Sequence, residues 1–65
     1  MCESNVYLID RDGNEKLYME SVDKIIPTED GVFMENIFSE TRKVKARIKE
    51  MALVSHRIVL EESAE

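Results

Sequence analysis

The chain has only two glycines, and each follows an aspartate between apolar runs. Asp12-Gly13 lies in "DRDGNE", between "NVYLI" and "KLYMESV". Asp30-Gly31 lies in "PTEDGVF", between "KII" and "VFMENIF". Asp-Gly in that setting is the strongest short-range cue for a β-hairpin, because glycine accepts a positive φ without a Cβ clash. Pro27 falls in the second turn region, where its missing N–H costs no ladder bond. The flanking runs are rich in β-branched and aromatic residues, as strands are. "LYMESV" sets Leu17, Met19 and Ser21 on one face and Tyr18 and Glu20 on the other. "VFMENIF" sets Val32, Met34, Asn36 and Phe38 opposite Phe33, Glu35 and Ile37. Neither of its faces is wholly polar, so this strand is expected to be covered on both sides.

The second half is less decided. In Thr41–Ala52, Val44, Ile48, Met51 and Ala52 follow helical spacing among good helix formers. Val44, Ala46 and Ile48 also alternate as a strand would, with Lys43, Lys45, Arg47 and Lys49 outside. Local pattern alone leans slightly to helix. After His56, "RIVLE" reads as a last strand.

Sixty-five residues make one domain at most, residues 1–65. A chain this short hides roughly 60% of its surface on folding and often needs a staple. One cysteine excludes an internal disulfide. A partner subunit and a metal remain. The net charge of -5 argues against nonspecific nucleic-acid binding and against anionic membranes. The basic stretch "TRKVKARIK" reads as a solvated face. No apolar run approaches membrane-spanning length, and "MCESNVYLID" lacks the pattern of a signal peptide. A free thiol without such a signal points to a reducing cytoplasm.

The "MC" start, the Asp-Gly hairpins and the "SHRIVLEE" ending together resemble the CooT-type nickel-binding proteins, accessory proteins of carbon monoxide dehydrogenase. The resemblance spans essentially the whole chain. It implies an all-β, small barrel-like (SH3/Sm-like) antiparallel sheet that forms a homodimer. It implies a metallochaperone that binds Ni(II) at the dimer interface through the cysteine after the initiator methionine, which here is Cys2. A nickel enzyme such as carbon monoxide dehydrogenase would be the client. The resemblance also turns Thr41–Ala52 towards strand, with "RKVKARI" as one strand and "MALVS" leading into "HRIVLEE".

The chemistry of Cys2 suits that role. Thiolate is a soft, strong donor, and Ni(II) accepts square-planar nitrogen and sulfur sets. With Met1 kept, its amine, the Cys2 amide nitrogen and the Cys2 sulfur form two fused chelate rings. With Met1 removed, the new amine and the thiolate form one. Each chain then offers two or three donors, and a twofold axis supplies the rest from a second copy. Judged on residues alone, a free cysteine is more often a small hydrophobe or an incidental thiol. The resemblance decides for the metal.

Other residues read more plainly. His56, the only histidine, reads as a hydrogen-bonded or surface residue and is not assigned to the metal. Glu3, if in a strand, would face away from Cys2. Asp10, Asp12, Asn14 and Glu15 read as turn chemistry, since a calcium loop needs helix flanks and a closing glutamate. Met19, Met34 and Met51 read as core filling. Tyr7, Tyr18, Phe33 and Phe38 offer stacking surfaces for RNA bases, but most are expected inside. No triad or glycine-rich phosphate loop is present, so the chain is read as a non-enzyme. The alternative function is a small-barrel RNA-binding or protein-interaction module whose thiol is incidental.

Overall fold

The computed structural model describes residues 3–52 and 54–62. Six strands form one sheet: β1 (Ser4–Ile9), β2 (Glu15–Thr28), β3 (Gly31–Asn36), β4 (Thr41–Val44), β5 (Ala46–Ala52) and β6 (Arg57–Glu62), in the order β4-β3-β2-β1-β6-β5. No helix occurs among the described residues, and hence none long and apolar enough to cross a membrane.

Both hairpins form where Asp-Gly stands. In the first, the Asp10 carboxylate accepts the N–H groups of Asp12 and Asn14, each at 2.9 Å, and Gly13 takes φ +87°. The acidic cluster is thus a turn that satisfies its own backbone. In the second, Thr28 pairs with Gly31, and Gly31 is needed for a different reason. A Cβ there would lie 2.4 Å from the Val44 carbonyl oxygen, so close approach of two backbones demands glycine.

β2 is one long strand serving both hairpins. Its first half pairs with β1 and its second with β3, with register slips on both sides and Ser21 at φ +55°. Such bulges sharpen strand twist and bend. One of them lies between the pairs Val6–Met19 and Tyr7–Leu17, so the alternation expected for "LYMESV" breaks. Met19 is buried, Tyr18 also packs on the core, and Leu17 is exposed. Pro27 lies inside β2, opposite Val32, rather than in a turn. Among the described residues the pairing of β2 with β1 reaches no further than Val22, which leaves Pro27 on a strand edge where no N–H is needed.

Thr41–Ala52 is extended, as the family resemblance implied and against its helical spacing. "RKVKARI" is not a single strand, however, because it breaks at Lys45 between β4 and β5. That break explains the largest difference from expectation. The pairings make β4 and β5 run the same way, so β6, antiparallel to β5, returns parallel to β1. The sheet is therefore mixed rather than antiparallel. It is also not closed into a barrel: β4 and β5 are its two edges, joined through Lys45 but not paired with each other.

One face of the rolled sheet holds the core. Val6, Met19, Val22, Val32, Met34, Ala46, Ile58 and Leu60 are buried together, with Leu8, Ile25, Val44 and Ile48 packed on them. The core is aliphatic and methionine-rich, and none of the four aromatics is fully buried. Phe38 is 70% exposed and Met51 48% exposed, so neither fills the core. Phe38 misses it because β3 ends at Asn36. The buried Asn36 side chain accepts the N–H groups of Phe38 (3.0 Å) and Glu40 (2.9 Å), turning the chain outward. Met51 sits opposite Ile58 on edge strand β5, with no strand beyond it.

Candidate metal centre

Met1 and Cys2, the residues assigned to the metal, lie outside the described residues. What the structure describes is the ground next to them. The parallel pairing of β1 with β6 starts at Asn5 opposite Arg57, so the beginnings of the two strands lie side by side. The only histidine, distant in sequence, is thereby brought against the first described residue.

The contact is double. The Asn5 N–H donates to the His56 carbonyl at 3.0 Å. The His56 ring nitrogen Nδ1 lies 2.9 Å from the Glu3 carbonyl oxygen. A carbonyl can only accept, so Nδ1–H is the donor. His56 holds φ +56° in the turn before β6, a conformation in which histidine, asparagine and aspartate are enriched. Glu3 precedes β1 rather than lying in it, and it meets His56 through its backbone.

Around this contact is an open cleft of about 520 Å³ lined by Glu3, Asn5, Ser21, Ser55, His56 and Arg57 among others. The Asn5 side chain accepts the Ser21 N–H at 3.2 Å, tying the bulge of β2 to β1. Arg57 spreads over the Tyr7 ring, 4.3 Å from its centroid, and ion-pairs with Glu15. Its charge is therefore offset within the sheet.

Elsewhere three more ion pairs lie on the sheet. Arg47 meets Glu61 at 3.0 Å, Lys24 meets Glu35 at 3.5 Å and Lys43 meets Asp30 at 3.4 Å. A hydrogen bond from the Thr28 hydroxyl, the Asp30 backbone and Lys43 together hold the Asp30 carboxyl below its ordinary range. Arg42 lies 5.2 Å from the Tyr18 ring centroid. Of the basic stretch, Arg42, Lys43 and Arg47 are thus engaged by Tyr18, Asp30 and Glu61. Among the described residues, no three of His, Cys, Asp and Glu converge as a metal cage would require. The donors of one chain's described residues do not make a closed site.

A second, larger cleft of about 780 Å³ lies near the Asp12-Gly13 and Asp30-Gly31 turns, among Asp10, Asp30, Arg47 and Glu61. Arg47 and Glu61 satisfy one another there.

Sequence reasoning missed the nearness of His56 to Glu3 and Asn5. No local signal carries it, because parallel pairing between first and last strands leaves no turn motif behind.

The family model described as "CO dehydrogenase accessory protein CooT" matches residues 1–61. Among solved structures, that of a "putative CooT from Carboxydothermus hydrogenoformans" is similar at a TM-score of 0.85 and 47% identity, covering 95% of this chain and 98% of that one. No curated protein matches.

Proposed function

The chain belongs to the CooT family of CO dehydrogenase accessory proteins, and from that premise we propose that it carries Ni(II) to a nickel enzyme during maturation. Nickel is its cargo, and CO dehydrogenase is the client that the family description supports. Residues 1–65 act as one CooT-like domain in the cytoplasm, where a thiol stays reduced. The function is binding and transfer, without catalysis.

In this reading two copies hold one Ni(II) between them. Each gives the Cys2 thiolate and nitrogen from the chain start, the Met1 amine while Met1 is retained. The observation that carries the proposal is that the family match begins at residue 1 and so includes the Met-Cys start. A twofold axis would bring two copies of the same short donor set together without further ligands.

Titration with Ni(II) tests this. A sulfur-to-nickel charge-transfer band is expected to grow and saturate. Uptake is expected to weaken as pH falls, because the thiol must lose its proton to bind. A silent titration accompanied by RNA binding would replace this reading with a small RNA-binding module.

A further inference from the structure

We infer that the turn carrying Phe38 is the surface by which this chain docks on its client enzyme, against an apolar pocket rimmed by lysine or arginine. The inference rests on the client reading above and names the surface that serves it. Phe38 is 70% exposed and Ile37 beside it is 42% exposed, so two adjacent large apolar side chains stand in water just beyond β3. The backbone beneath them is fixed. The N–H of Asn36 donates to the Glu40 carbonyl at 3.0 Å, that of Ile37 to the Ser21 carbonyl at 2.9 Å, and that of Ser39 to the Asn36 carbonyl at 3.1 Å. The Asn36 side-chain oxygen accepts the N–H groups of Phe38 and Glu40, and its amide donates to the Glu40 carboxylate at 2.8 Å. Every N–H from Asn36 to Glu40 is thus satisfied, and Asn36 itself is buried. An aromatic side chain held outward on a fixed turn has little backbone freedom left to lose on binding, as suits an interface anchor.

Charge selects the kind of partner. The bond from Ile37 to Ser21 and the pairing of Val22 with Asn36 set the bulge of β2 beside this turn, with Glu20 and Asp23 on it. Both acids are exposed, and among the described residues neither has an ion-pair partner. Glu40, also exposed, adds a carboxylate from the turn itself. The cations nearest in sequence, Lys24 and Arg42, are engaged by Glu35 and Tyr18. A second copy meeting this patch about a twofold axis would set acid against acid. An anionic lipid surface or a nucleic acid would be repelled in the same way. A protein pocket with an apolar floor and a cationic rim complements both the phenyl ring and the carboxylates around it.

The test measures binding kinetics to purified CO dehydrogenase of the same organism. It compares the parent with Phe38→Ser and with the double variant Glu20→Lys, Asp23→Lys, each checked by circular dichroism and sedimentation. Phe38→Ser removes an exposed ring, so the fold should persist while affinity falls roughly tenfold or more. Association of the parent should slow as salt is added, and the double variant should bind more weakly and lose that dependence. Parent-like affinity in Phe38→Ser overturns the docking surface and leaves the client reading standing. So does a double variant that binds as the parent does. A dimer that falls to monomer in Phe38→Ser makes the patch a contact between copies and overturns the inference. A parent that does not bind the enzyme overturns the inference and the client reading together.

Discussion

Cys2→Ser is expected to abolish tight Ni(II) binding and leave the β-rich circular dichroism intact. Serine keeps the volume but replaces a soft, ionisable donor with a neutral hydroxyl. Changing a group that merely supports a ligand costs about 10–100-fold in metal affinity. Removing a ligand itself, from both copies at once, costs more. The fold is expected to persist, because among the described residues the buried cluster is built from strand residues from Val6 onward and serine keeps the side-chain volume. Parent-like affinity in this variant would remove the thiolate from the site.

Gly31→Ala is expected to destabilise the fold clearly. The added methyl would lie 2.4 Å from the Val44 carbonyl oxygen, 3.1 Å from its carbon and 3.4 Å from the Lys45 Cα. All three are backbone atoms, so no rotamer relieves the overlap. They belong to the corner where β4 gives way to β5, and the next residue, Val32, is 1% exposed. Forcing this corner outward costs about 1–3 kcal/mol by the usual scale of overpacking. Total stability at about 0.05–0.15 kcal/mol per residue leaves little to spare in so short a chain. Gly13→Ala is the control. Nothing lies within 4 Å of a Cβ at Gly13, so only its positive φ counts, about 1–2 kcal/mol. Denaturant midpoints should fall further for Gly31→Ala. Equal midpoints would mean that the corner yields freely.

The contrast between these glycines shows what was legible. Both hairpins could be read from Asp-Gly, but the demand at Gly31 comes from Val44, which meets it only in the fold. The strands beside the turns were readable by residue type. The continuity of β2 through its bulges was not, because a bulge breaks the alternation that marks a strand. For Thr41–Ala52 the local spacing favoured helix, and pairing with β3 and β6 overrode it. The break at Lys45 has neither Gly nor Pro to announce it, and from that break follow the mixed sheet and the open edges. The same topology brings His56 to Glu3. The candidate ligand Cys2 was legible as a residue type, whereas the contact between His56 and Glu3 was hidden in a parallel pairing that no short motif encodes.

The central claim is one nickel shared by two chains, and native mass spectrometry reads it most directly. Without metal, in chelator, the expected species is twice the 7.6 kDa chain mass. After one equivalent of Ni(II) per dimer, the expected species is that dimer plus a single nickel, with no further tight uptake. A nickel-loaded monomer, or a dimer that takes up two nickel ions with equal affinity, would contradict the shared site.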